Sequence, residues 1–318
     1  MPRRRTLLLT LDAFDTLFHP HPPVPTQYIA TAHRYGLLPK SITEAHLLPA
    51  FKTSFKAQSA RRPNYGRADV LRGEYGGPRQ WWEEVIRGCF AQLVTSTTNN
   101  TTTSSSSTTG TQGNVAVPDA LIQDLLGQFS GSEGYALYPD VMAFFERLRG
   151  VKTPGKSLGV FDRVIVGVVS NSDDRISGVL KSLGVRVGRG RVDGGVLGGF
   201  ERRELGGIAA DSRSGASDGN AVDDIDLLVT SYEAGEEKPS PVIFQVVERE
   251  ARRLFGDEDG DGQWDKVHVG DDFEKDYRAA VDAGWKGYFL SRGEGSGASS
   301  EGVIRSLGEV LGFLEGFK

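Results

Sequence analysis

The sequence predicts a doubly wound α/β fold, a parallel sheet flanked by helices, with an all-helical domain inserted after the first strand. Three observations carry this expectation. Five short apolar runs lack polar alternation and so read as strands buried on both faces, as in a parallel sheet. Amphipathic helical patterns alternate with those runs. The interval between the first and second runs, residues 19 to 135, holds only helical patterns and is too long for a simple crossover.

In chain order the strand-like runs are TLLLTLDAF, RVIVGVVSN, IDLLVTS, KVHVGDD and GYFLS. Among them lie DVMAFFERLRG, DDRISGVLKSLG, SPVIFQVVEREARRLFG and EKDYRAAVDAG, each with helix-spaced apolar residues. Ser240 and Pro241 suit a helix start, a side-chain cap followed by proline in the first turn. Gly184 and Gly284 fall where helices should end. The Rossmann-like core is therefore discontinuous, residues 1–18 and 136–318, and the helical insertion spans 19–135. TQYIATAHRYG, SITEAHLLPAFKTSFKAQS and PRQWWEEVIRGCFAQL are its clearest helices, and Trp81 and Trp82 are candidate core anchors. Thr95 to Gly113, TSTTNNTTTSSSSTTGTQG, lacks the apolar content to order itself and reads as a disordered loop. A glycine-rich stretch from 188 to 220 reads as a second insertion; its GRGRVDGG has the wrong glycine spacing for a dinucleotide loop.

Composition narrows the function classes. A chain of 318 residues with 38% hydrophobic and 25% charged content can bury a substantial core. Its net charge of -5 argues against nucleic acid or anionic membranes as partners. No apolar run approaches the roughly 18 residues of a membrane span. The single cysteine, Cys89, lies among helix-spaced apolar residues, which suits a packing role and a reducing compartment. An intracellular, cytoplasmic location is expected, with nuclear and mitochondrial addresses left open by the short basic tip MPRRR.

Doubly wound sheets bind ligands at the carboxyl ends of their strands. The polar residues expected there are Asp12, then Ser170 and Asn171, then Lys238, then Asp271 and Asp272. Two carboxylates, a hydroxyl and an ammonium at successive strand ends could together bind a metal ion and a phosphate.

These residues carry a family resemblance. DAFDTL, VVSNS, KPSP and GDDFEKD match, in order, the four motifs of the haloacid dehalogenase superfamily, and the helical insertion resembles its cap domain. The resemblance implies that Asp12 is a nucleophile forming a covalent aspartyl intermediate, with magnesium and Lys238 holding its pKa down. It implies that Thr16, Ser170, Asn171 and Lys238 bind the phosphoryl group, with Thr16 also steadying the loop after the first strand. Magnesium would be held by Asp12, Asp271 and the backbone carbonyl of Phe14. Asp276 would orient Lys238 or a metal-bound water, and Asp272 would support the site.

One position departs from the family's phosphatases, which place a second aspartate two residues after the nucleophile as general acid and base. Here that position is Phe14. Dehalogenase members have an aromatic residue there, yet they typically lack the acid that Asp271 supplies. The expected function is a magnesium-dependent hydrolase of a small, anionic, phosphorylated metabolite, slowed by Phe14. The alternatives are a catalytically impaired binding or regulatory protein and a hydrolytic dehalogenase. Asp15 is expected to bond backbone amides in its turn rather than replace the missing acid. DEDGDG, residues 257–262, resembles a calcium loop but has His268 where a bidentate Glu is needed. His19 and His21 in a proline-rich linker read as bystanders, and Arg61 and Arg62 as either a solvated face or an anion contact.

Overall fold

The computed structural model describes residues 5–101, 116–191, 222–256, 262–293 and 302–317. Its strands are β1 (Arg5–Leu11), β2 (Phe18–Pro20), β3 (Tyr135–Leu137), β4 (Arg163–Ser170), β5 (Val187–Arg191), β6 (Ile225–Thr230), β7 (Gln263–Gly270), β8 (Lys286–Leu290) and β9 (Val303–Ile304). Seven of them form one sheet in the order β5-β6-β4-β1-β7-β8-β9. Every pairing in it is parallel, so the core is a doubly wound, Rossmann-like α/β sheet.

The central strand β1 buries six of its seven residues, as expected of a strand covered on both faces. Leu8 packs with Ile165, Val229, Ile243 and Phe244 in a dry core shared by the sheet and the helix Pro241–Phe255. That helix begins where capping chemistry puts it: Ser240 accepts from the Val242 amide, and Pro241 occupies the first turn. Gly184 and Gly284 follow their helices with φ of +89° and +77°, values that suit glycine at a helix end.

The chain divides into two compact units, residues 1–19 with 136–318, and residues 20–135. The second unit is helical: Val24–Arg34, Glu44–Arg61, Pro63–Leu71, Pro78–Thr101 and Asp119–Gln128. Its interior is aromatic. Trp81 is buried, and its ring meets Trp82 edge-on at 4.9 Å and Phe55 at 5.3 Å. Cys89 is buried as well, and burial pushes its thiol up to about 12, which suits packing rather than reactivity.

Two expectations about insertions need correction. The helix Pro78–Thr101 continues through residues 95–101, so that part of the Thr/Ser-rich stretch is helical. Residues 187–191 form the edge strand β5 against β6, so the second insertion starts later than 188. Residues 102–113 and 192–220, and nearly all of the DEDGDG run, lie outside the described residues. Within the described residues no helix is long and apolar enough to cross a membrane.

The central position of β1 has a measurable consequence. Leu8→Ala should lower the unfolding free energy by about 2–5 kcal/mol, read from urea denaturation; a loss below about 1 kcal/mol would contradict it.

Candidate active site

A cleft at the carboxyl ends of β1, β4 and β7 is lined by Asp12, Phe14, Ser170, Lys238, Asp271 and Asp276, with Asp15, Asn171, Asp272 and Lys275 completing it. Asp12 follows β1 directly, and its amide extends the sheet by donating to Val269 O at 2.9 Å. β1 pairs with β4 on one side and with β7 on the other. Asp12 thus sits at the switch point, where chain crossovers diverge and leave room for a ligand.

Lys238 is the hub of the cleft and is 3% exposed. Its ammonium donates to Asp12 Oδ1 at 2.9 Å, to Asp276 Oδ1 at 2.6 Å and to Val169 O at 2.9 Å. All three of its protons are therefore in use. Burial works against this ammonium, but Asp12 and Asp276 outweigh it and hold its pKa above the ordinary lysine value. Asp276 accepts again on Oδ1 from His268 Nε2 at 3.2 Å, and on Oδ2 from the Asp272 amide at 2.9 Å. Burial opposes ionisation of Asp276, yet Lys238 and His268 hold it well below the usual carboxylate range.

The ionisation of Asp12 is set by opposing effects, of which Lys238 lowers the pKa. Lys238 was expected to hold its pKa down together with a metal ion. In the metal-free protein burial is the larger effect, and the charge of Asp276 adds to it, so the carboxyl is pushed up despite the ammonium beside it. Asp271 is pushed up to about 7, first by burial and then by the charge of Asp12. Carboxylate oxygens of Asp12, Asp271 and Asp276 lie within 4.8 Å of one another. Two like charges at that spacing repel by about 3–4 kcal/mol at an effective dielectric near 20. Oxygen ligands that resist ionising together are suited to a hard divalent cation such as magnesium.

The remaining predicted residues divide into those facing the cleft and those holding it in shape. Ser170 ends β4 at the cleft wall. Asn171, which also lines the cleft, clamps the main chain of Lys238: its Oδ1 accepts from Lys238 N at 2.6 Å and its Nδ2 donates to Lys238 O at 2.7 Å. Thr16, expected at the phosphate, is fully buried and donates to Asp271 Oδ1 at 3.0 Å. Asp272 caps the following turn, accepting from the amides of Glu274 and Lys275 at 3.0 Å each, and pairs with the Lys275 ammonium at 2.9 Å. Asp15 occupies the left-handed region with φ +54°. Burial, and then the charge of Asp15, push the Tyr138 hydroxyl above its ordinary pKa.

Phe14 stands in the cleft wall with its ring edge-on to Phe18 at 4.9 Å. The turn around it is closed by Asp15 N to Phe18 O at 2.8 Å and Phe18 N to Ala13 O at 3.2 Å. His19 lies beside the Tyr138 ring at 4.7 Å, and His21 is exposed. Arg61 is exposed, whereas Arg62 pairs with Asp69 and lies over the Tyr75 ring at 4.7 Å.

Three residues of the site escape a motif reading. His268 supports Asp276 from within β7. Gly270 ends β7, and a Cβ there would land on the Asp276 carboxylate. Arg292 donates to Thr16 O at 2.6 Å and Asp140 Oδ1 at 2.9 Å, with its guanidinium 3.8 Å over Tyr138, and so pins the loop after β1. The only sequence signal for any of them was the glycine of the GDD motif.

No protein-family model matches the sequence. Over 95% of its length the chain is 25% identical to an uncharacterized protein of Saccharomyces cerevisiae, covering 78% of that protein. It is also 25% identical to the haloacid dehalogenase-like hydrolase domain-containing protein 3 of Danio rerio, over 96% of this chain and 94% of that one. Among solved structures, the 2-haloacid dehalogenase of Pseudomonas syringae aligns over 97% of this chain and 98% of its own, with 16% identity and a TM-score of 0.48. A doubly wound sheet with a helical insertion after its first strand, and acids at its switch point, define an α/β protein with a ligand cleft at the strand ends. Over most of its length the chain is thus similar to haloacid dehalogenase-like hydrolase domain-containing proteins, the superfamily that its four motifs resemble.

Two outcomes follow from this geometry. Gly270→Ala should displace Asp276 and cost about 1–3 kcal/mol of stability through overpacking, measured by denaturation; unchanged stability would mean that Asp276 is not held where it stands. The second concerns pH. A folded pKa near 7 for Asp271 means that the metal-free folded protein binds more protons than the unfolded chain between about pH 4 and 7. This contribution to stability is full at acid pH and is lost as pH rises through 7. A divalent cation needs the ionised form, so the rise in melting temperature produced by magnesium should be larger at pH 8 than at pH 5.5. Equal rises at both would contradict a role for Asp271 in holding the ion.

Proposed function

We propose that the protein is a magnesium-dependent hydrolase that removes the phosphoryl group from a small, anionic, phosphorylated metabolite through a covalent intermediate on Asp12. The observation that carries the reading is the Lys238 ammonium, shared by Asp12 and Asp276 beside a third acid, Asp271, at the switch point of the sheet. The donor set fits magnesium: two carboxylates, Asp12 and Asp271, and the backbone carbonyl of Phe14 are hard oxygen ligands. The ion would supply charge neutralisation at the phosphoryl oxygens.

The residues of the chain do the rest. In the first step an Asp12 carboxylate oxygen adds to phosphorus and the bond from phosphorus to the leaving-group oxygen breaks. In the second step a water oxygen adds to phosphorus, the Asp12–phosphorus bond breaks, and phosphate and the free carboxylate result. Lys238 favours the ionised nucleophile and offers positive charge where the phosphoryl oxygens gather. Ser170 donates to one of those oxygens. Asn171 keeps Lys238 in reach, Thr16 keeps Asp271 in reach, and Asp272 and Asp276 brace the opposite wall. The helical unit of residues 20–135 takes the part of the cap domain that its place in the chain resembles, and the reaction belongs to an intracellular, reducing setting.

Phe14 sets the substrate class. With no proton donor at that position, the leaving group departs as an anion or takes its proton from water. The site is then matched to acyl phosphates and aryl phosphates, whose leaving groups are stable anions, rather than to alkyl phosphates. The same residue supports a second reading, in which turnover is negligible and the protein binds phosphorylated ligands.

Asp12→Asn should abolish phosphate release from acetyl phosphate and p-nitrophenyl phosphate, and chelation of magnesium by EDTA should do the same. Persisting turnover in Asp12→Asn would remove the nucleophile. Phe14→Asp should raise kcat on an alkyl phosphate such as glycerol 3-phosphate by about 10²-fold or more, with a smaller gain on p-nitrophenyl phosphate. A gain of equal size on both would show that the missing proton does not select the leaving group.

A further inference from the structure

His268 is a buried titratable residue that the proposed reaction leaves unused. It sits in β7 with 0% exposure, between the sheet and the Phe244 ring, which meets it edge-on at 5.1 Å. Its Nδ1 lies 2.8 Å from Thr10 Oγ1, and its Nε2 lies 3.2 Å from Asp276 Oδ1. We infer that His268 is a positioning residue: with Thr10 behind it, it fixes the Asp276 carboxylate so that Asp276 holds Lys238 against Asp12.

The chemistry of the donors sets the direction of this chain. An ionised carboxylate only accepts, so the proton on His268 must sit on Nε2. Burial drives the imidazole toward its neutral form, which leaves Nδ1 as an acceptor. The Thr10 hydroxyl then donates to Nδ1 at 2.8 Å in preference to Val267 O, which lies at 3.2 Å. Asp276 thereby receives His268 and Lys238 on one oxygen and the Asp272 amide on the other. Without His268, only the lysine and that amide hold the carboxylate. Outer partners of this kind typically change activity by about 10- to 100-fold when removed.

The kinetic consequence rests on the hydrolase reading; the structural one does not. The test uses the full chain labelled with 15N-histidine and 15N-lysine. In the wild type, His268 should show a proton on Nε2 and none on Nδ1, and the Lys238 ammonium should be visible as a slowly exchanging signal. His268→Leu should lose the lysine signal. His268→Gln, whose amide can donate to Asp276, should keep it. With p-nitrophenyl phosphate, kcat should fall about 10- to 100-fold in His268→Leu with KM within about twofold, and His268→Gln should recover most of the loss. The inference is overturned if the wild-type ring carries its proton on Nδ1, if the lysine signal is unchanged in His268→Leu, or if Gln fares no better than Leu. If His268→Leu does not fold, the wild-type tautomer and His268→Gln decide. If the wild type shows no turnover, the hydrolase reading fails while the spectra still decide the role of His268.

Discussion

The site depends on placing one ammonium where water does not reach. A buried, unpaired lysine would cost several kcal/mol and would shed its proton instead. Lys238 avoids this with three acceptors for three protons: two carboxylates and the carbonyl of Val169. The arrangement is not electrically balanced, because Asp12, Asp271 and Asp276 crowd around a single cation. Asp276 lies deepest in its network and keeps its charge, held down by Lys238 and His268. The excess falls on Asp12 and Asp271, which are both pushed up. Those two are therefore the acids whose ionised forms gain most from a second cation, and they line the cleft where one could enter.

Holding four groups in that relation requires parts of the chain that are far apart in sequence. Asp12 is fixed by its amide bond to Val269, a residue of β7. Lys238 follows a short helix after β6 and is tied by Asn171, which follows β4. Asp276 approaches through a π-helical turn, Phe273–Arg278, capped by Asp272. It occupies the space that a side chain at Gly270 would fill. The tether of Asp12 is a hydrogen bond between the residue just beyond one strand and the end of its neighbour. The parallel register of β4, β1 and β7 thus sets the geometry of the cleft, and the apolar core beneath them keeps that register rigid.

The five strands readable from the sequence share one property: they are buried on both faces, so their apolar runs are uninterrupted. β5 escaped notice because VGRGR is an edge strand of glycine and arginine, and β9 because it has two residues. Residues 95–101 continue a helix that their threonine-rich composition disfavours. The candidate site divides in the same way. Which polar residues meet was legible, because strand order brings strand ends together. What each does was less so, because Thr16 and Asn171 are assigned by partners 255 and 67 residues away in the chain. His268 was hidden by its setting. A lone histidine in an apolar strand carries no local signal, and its meaning appears only when Asp276 is placed against it.

Phe14 tests whether the site could borrow its missing proton donor from next door. The turn after β1 is closed through the carbonyls of Ala13 and Phe18, and Phe14 is wedged against Phe18. One residue later the backbone enters the left-handed region at Asp15, whose side chain is exposed and whose charge acts on Tyr138. Arg292 then locks the same loop by its bond to Thr16 O. To bring the Asp15 carboxyl onto a leaving group at Asp12, the turn would have to rotate and give up its closing backbone bonds and the Phe14–Phe18 contact together. The loop is built to hold an aromatic residue at that position, so its effect on the chemistry is a fixed property of the fold. In the proposed reaction, a nucleophile assisted by Lys238 and facing a phosphoryl group with no acid at hand would work best on bonds whose leaving oxygen is already a weak base.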